Sequence, residues 1–155
     1  MIKSFDFYFD FASPYTYLAH KQIRNLEKEN SIKIKYQPVL LGGLLKSAGL
    51  KANVDIPVKA KYMIKDCKLC AEKINIDFKF NSYFPIITLN LMRGVLFAEQ
   101  EGYEKIFIDK VFDAIWKDGL NLNDNLVIEK LLKNLDINPK NFLMETVEQK
   151  IKNEL

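Results

Sequence analysis

Phe5-Asp6-Phe7-Tyr8-Phe9-Asp10-Phe11-Ala12-Ser13-Pro14-Tyr15-Thr16-Tyr17-Leu18-Ala19 changes its hydrophobic period partway along. Phe5, Phe7, Phe9 and Phe11 alternate with Asp6, Tyr8 and Asp10, the period of two expected of a strand with one apolar face. Beyond Ser13 the period becomes helical. Pro14 suits a first helical turn, where its missing N–H would have no intrahelical partner, and Ser13 before it is a good N-cap. Ser13 therefore falls at a strand-to-helix junction beside unpaired backbone donors and the positive end of a helix dipole. Such places hold anions, thiolates included, although a serine before a proline also serves simply as a cap.

Outward from this junction, the helix begun at Pro14 is expected to run to about Glu29, with Tyr17, Leu18, Ile23 and Leu26 as its apolar stripe. Asn30 and Ser31 break it. Ile32 to Pro38 alternates again and reads as a second strand, which completes a parallel, right-handed crossover. Ser13 then sits at the carboxyl end of the first strand, where ligands of α/β sheets usually bind. From Val39 onward the pattern is nearly all helical: near Gly42 to Ala48, Pro57 to Ile74, Ile86 to Glu101, Glu104 to Lys117, Asn125 to Leu135, and Pro139 to the end. Gly102 and Gly119 are placed as C-terminal caps, and Asn138 before Pro139 as an N-cap. Only two strands are convincing, with Asp77 to Phe80 as a candidate third, and a two-stranded sheet needs extensive helix packing to persist.

The chain has 155 residues, 48% hydrophobic and 28% charged, which suits one globular domain. A net charge of +3, spread among alternating lysines and acids, argues against nucleic-acid binding and agrees with anionic small molecules. No run approaches the length of a membrane span and the N-terminus has no signal-peptide pattern, so a cytoplasmic protein is expected. Cys67 and Cys70, the two cysteines, are too few for a secreted disulfide framework. Their Cys-x-x-Cys spacing suggests redox chemistry, but they fall inside the expected helix from Pro57, away from the N-terminal position that activates a thiol. Two further ligands would be needed for zinc, so no metal site is expected. His20 reads as a packing or surface residue.

The opening stretch resembles that of the 2-hydroxychromene-2-carboxylate isomerases and kappa-class glutathione transferases, thioredoxin-like enzymes related to disulfide-bond oxidoreductase A. Three further stretches are similar to family segments: Leu40 to Met63, Phe84 to Arg93, and Val111 to Asp124. The resemblance implies an α/β fold with a thioredoxin-like core and a large all-helical insertion: residues 1–40 the βαβ part, residues 41–155 the insertion. The family's C-terminal two strands and helix, with a cis-proline loop facing the serine, would follow Leu155, so only one wall of the site is expected from this chain. Where the wider group carries Cys-x-x-Cys, this chain has Ser13 and Thr16, a pair that cannot exchange disulfides.

In the resembling enzymes the serine holds the thiolate of bound glutathione, which implies catalytic Ser13 and glutathione as cofactor. Asn53 and Lys59 match family residues that contact glutathione, whose two carboxylates call for such groups. Phe11, Tyr15 and Tyr62 are placed as neighbours of an aromatic substrate. The implied function is a glutathione-dependent isomerase or transferase acting on an aromatic or unsaturated small molecule. Members are often dimers, so the resemblance admits a homodimer. Ile87 replaces an asparagine usual in the family, removing an amide that could orient a loop or substrate. Two other readings stay open on the sequence: a protein-thiol oxidoreductase using Cys67 and Cys70, and a non-catalytic shortened relative acting as a binding module.

Overall fold

The computed structural model describes residues 3–29 and 32–155; the expected break at Asn30 and Ser31 lies outside them. β1 (Lys3–Phe9), α1 (Pro14–Glu29) and β2 (Ile32–Pro38) form the crossover, with the strands parallel and Phe5 opposite Ile34, Phe7 opposite Tyr36 and Phe9 opposite Pro38. α2 (Leu41–Ser47), a 3-10 turn at Asn53–Asp55, α3 (Pro57–Lys73), α4 (Leu89–Gln100), α5 (Glu104–Trp116), α6 (Asn125–Lys133), α7 (Pro139–Glu145) and α8 (Gln149–Glu154) follow. This is an α/β arrangement, a parallel two-stranded crossover with a dominant helical part, as expected. Among the described residues no helix is long and apolar enough to cross a membrane.

Aromatic packing supplies what a two-stranded sheet lacks. Phe9 and Phe11 are fully buried and meet Phe112 of α5 with ring centroids 5.6 and 4.9 Å apart. Ile108, Val111, Phe112 and Ile115, the stripe seen in the sequence, have no exposed surface. Trp116, at the end of the same helix, donates from Nε1 to the Phe11 carbonyl at 2.8 Å and so pins the strand-to-helix junction to α5. Asp77 to Phe80 does not become a third strand. Its backbone bonds instead to helix residues: the Asp77 carbonyl accepts from the Tyr17 hydroxyl at 2.7 Å, and Lys79 N–H donates to the Trp116 carbonyl at 2.6 Å.

Two helix boundaries differ from expectation. α4 begins at Leu89 and not at Ile86, because residues 85–88 stay non-helical and are tied to other segments. The final helix is two, α7 and α8, broken at Glu148, whose extended backbone lets Phe142 and Ile151 both bury. The caps are as read: Asn138 Oδ1 accepts from Lys140 and Asn141 N–H, and Gly102 and Gly119 take positive φ after their helices.

His20 is fully buried, between the sheet and α5. Its Nε2–H donates to Asp109 Oδ1 at 2.7 Å, and its Nδ1 accepts from the Tyr36 hydroxyl at 3.1 Å. Arg24 grips the same carboxylate through Nε at 3.1 Å and Nη2 at 3.0 Å. Burial pushes the His20 pKa down against the opposing pull of Asp109, so the ring is neutral. Burial pulls Asp109 up, but the bonds from His20 and Arg24 outweigh it and hold the carboxyl below its usual range. Both depressed values stabilise the fold at neutral pH. The histidine contribution is present above about pH 6.5 and is lost as pH falls toward its folded value; that of Asp109 is lost only below about pH 3.9. The urea midpoint should therefore drop between pH 6.5 and 5, and His20→Phe, whatever its absolute stability, should flatten that part of the profile. Equal slopes in the two proteins would mean that His20 does not carry it.

Candidate active site

β1 ends at Phe9, one residue before Asp10. In an unbroken strand Asp10 would point to the polar face with Asp6 and Tyr8. It is instead 3% exposed, because the chain has already begun to turn into α1. Its Oδ1 accepts from Ala12 N–H at 2.9 Å and from the Thr88 hydroxyl at 2.7 Å, and its Oδ2 accepts from Leu41 N–H at 2.8 Å. One carboxylate thus joins the junction, the start of α2 and the segment before α4.

Between these segments opens a cavity of about 740 Å³. Its walls are the junction from Ala12 to Tyr15, the stretch from Leu40 to Leu45, residues 51–55, and Phe84 to Leu89, with Met63 between them. The junction is thus one of several segments that line the cavity. Sharing the cavity with Ser13 is a segment containing a cis peptide bond, Phe84–Pro85, which comes from within the helical part.

Ser13 lies at the junction end of the cavity and caps α1, its Oγ accepting from Thr16 N–H at 3.3 Å. That bond uses a lone pair and leaves the hydroxyl proton free to be donated. Thr16 lies outside the lining, its hydroxyl turned back to the carbonyls of Asp10 and Ser13 at 2.8 and 3.0 Å. Tyr15 lines the lip, 40% exposed, and donates to Asp66 Oδ2 of α3 at 2.9 Å. Burial and then the Asp66 bond raise its pKa, so the phenol stays protonated.

The other sequence-derived positions separate. Asn53 lines the cavity, but Lys59 does not; the cation among the described lining residues is Lys51. Tyr62 is 66% exposed and outside the lining. Phe11, expected as a substrate neighbour, has its ring fully buried against Phe107 and Phe112 and lies outside the cavity lining. Cys67 and Cys70 sit inside α3, and burial, then nearby Asp66, pushes the Cys67 thiol up to about 12. A thiol so protonated at neutral pH is a poor exchange nucleophile. Among the described residues no cluster of three or more His, Cys, Asp or Glu could hold a metal ion.

Sequence reading missed Asp10, Lys51 and Thr88. The signal for Asp10 was an acidic residue at a strand end, which becomes informative only when the strand's last residue is known. Losing this carboxylate should strand two buried or half-buried N–H groups and a hydroxyl. Asp10→Ala is expected to lower unfolding free energy by roughly 2–4 kcal/mol, and Thr88→Val, which removes one donor, by about 1 kcal/mol. Urea denaturation of both variants checks this, and equal losses would mean that Asp10 does not join the walls.

A model of the DSBA-like thioredoxin domain matches residues 4–155. The 2-hydroxychromene-2-carboxylate isomerase of Pseudomonas putida is 28% identical over 74% of this chain and 57% of its own length. Glutathione S-transferase kappa 1 of Rattus norvegicus is 26% identical over 72% of this chain and 50% of its own. The chain thus spans about half the length of these curated relatives. A solved structure of selenomethionine 2-hydroxychromene-2-carboxylate isomerase superposes with a TM-score of 0.86 at 22% identity, covering 97% of this chain and 74% of that one.

Proposed function

Because the chain belongs to the DSBA-like thioredoxin domain family, we propose that it is a glutathione-dependent isomerase or transferase acting on an aromatic or unsaturated small molecule. The observation that carries this reading is Ser13: a capping hydroxyl whose proton is free, at a helix N-terminus that opens into a largely apolar cavity. The relatives named as isomerases and kappa-class transferases support the same class of chemistry.

The residues present suit glutathione. The cavity of about 740 Å³ falls within the usual range for small-molecule sites. Ser13 can donate to a sulfur anion, and Lys51 and Asn53 stand in the lining to meet a carboxylate. When bound, glutathione would supply the sulfur nucleophile that adds to an unsaturated carbon.

Ser13 holds its proton toward that sulfur while Thr16 N–H keeps its Oγ in place. The first turn of α1 adds its dipole, and both favour the thiolate over the thiol. Pro14, Leu41, Met63 and Ile86 exclude water and suit the flat apolar body of the second substrate. Tyr15, fixed by Asp66, keeps a protonated phenol at the lip. The raised pKa of Cys67 weighs against the thiol-oxidoreductase reading.

Ser13→Ala should lower glutathione-dependent turnover of an activated aromatic electrophile by roughly 10²–10³-fold, the scale for losing a donor to a reacting anion. Stability should fall by only about 1 kcal/mol, as for a lost cap. Retained activity together with an unchanged thiol pKa for bound glutathione would reduce Ser13 to a cap.

A second outcome concerns the carboxylates. Lys51→Ala should weaken glutathione binding in calorimetric titration several-fold more than Lys59→Ala, because only Lys51 reaches the cavity. A larger loss at Lys59 would return that role to the residue the sequence singled out.

A further inference from the structure

The segment from Phe84 to Thr88, which lines the cavity together with Ser13, has no regular secondary structure of its own to hold it. Residues 84–88 lie between a turn and α4, and Ile87 at its crest is 76% exposed. Its lower end is held by Asn81, whose Oδ1 accepts from Tyr83 N–H at 2.8 Å and whose Nδ2 donates to the Ile115 and Leu120 carbonyls at 3.0 and 2.9 Å. Its upper end is held by Thr88 on Asp10. The middle is held by a side chain from another loop. Asn123 Oδ1 accepts from Ile87 N–H at 2.8 Å, while its Nδ2 donates to the Pro85 carbonyl at 3.1 Å and the Tyr83 carbonyl at 3.3 Å.

We infer that Asn123 is a positioning residue that sets the cavity wall formed by residues 84–88, and hence how well the cavity grips an apolar aromatic ligand. Asn123 is outside the cavity lining, so any effect it has on binding passes through the wall. Its amide matches the segment in both polarities: one acceptor for the single N–H at the crest and donors for two carbonyls below it. No shorter or purely apolar side chain can do this. The amide that Ile87 lacks is thus supplied from the loop before α6, immediately before the Asp124 cap that fixes where that helix begins.

The inference rests on the reading of this cavity as the substrate site, but its test does not need glutathione. The probe is 8-anilinonaphthalene-1-sulfonate, an anionic aromatic dye whose fluorescence rises in apolar cavities, titrated into the intact chain. Hydrogen exchange of the Ile87 amide and the thermal midpoint are followed in parallel.

Asn123→Ala should expose the Ile87 amide to exchange and weaken dye binding about tenfold, while the thermal midpoint changes little, since the three lost bonds lie at the surface. Asn123→Asp keeps the acceptor for Ile87 but turns a carboxylate toward two carbonyls, so it should weaken the dye at least as much while Ile87 stays protected. If the alanine variant does not fold, the aspartate variant carries the test alone. Dye affinity within twofold of the parent in the folded variants, unchanged exchange at Ile87 in Asn123→Ala, or no dye binding by the parent chain would each overturn the inference. Failure of glutathione turnover with the dye results as expected would overturn the proposed function and leave this one standing.

Discussion

A buried carboxylate is costly unless its oxygens are met by donors, and Asp10 is met by three from three separate segments. That requirement shapes the cavity. The chain cannot bury Asp10 without bringing Leu41 N–H and the Thr88 hydroxyl to the junction after β1. Once they are there, the space they enclose with Ser13 is the cavity. Leu41 is also the first residue of α2, so the negative charge faces the favourable end of that short helix. Asp10 also serves the turn locally, its backbone carbonyl accepting from Ser13 N–H at 3.0 Å. Fold and site are thus joined at one side chain.

How much of this was legible in the sequence follows from which interactions are local. The crossover, the cap at Ser13, the turn prolines and the stripe on α5 all depend on neighbours within a few positions, and period and composition carry them. The early end of β1 does not. It turns Asp10 inward, against the alternation that placed it with Asp6 and Tyr8 by extension of the strand, while Phe11 stays with Phe9 on the core face. The late start of α4 has a similar cause, since residues 85–88 bond to Asn123 and Asp10, 36 and 78 positions away for Ile87 and Thr88. Local propensity has no means of registering such partners.

At the site, motif resemblance reached Ser13, Tyr15 and Asn53, which line the cavity, but also Lys59 and Tyr62, which do not. Helix α3 begins at Pro57, and its first turn leads away from the lining, whereas residues 51–55 pass along it. Lys51 and Lys59 differ only in where that helix starts, which a count along the chain cannot weigh. His20 shows the reverse. It was read as packing or surface, and burial settles it as packing, with a polar network that ties α1 to α5 through Asp109 and Arg24.

Trp116 is the chain's single tryptophan, and its indole N–H is bonded to the carbonyl of Phe11, two residues from Ser13. Indole emission is sensitive to this kind of hydrogen bond and to the polarity around the ring. The protein therefore carries its own optical gauge of the strand-to-helix turn, buried beneath the site and shielded from direct contact with solutes. A ligand that tightens or loosens that turn would change colour and intensity at one defined point, with no label attached and no second indole to confuse the signal.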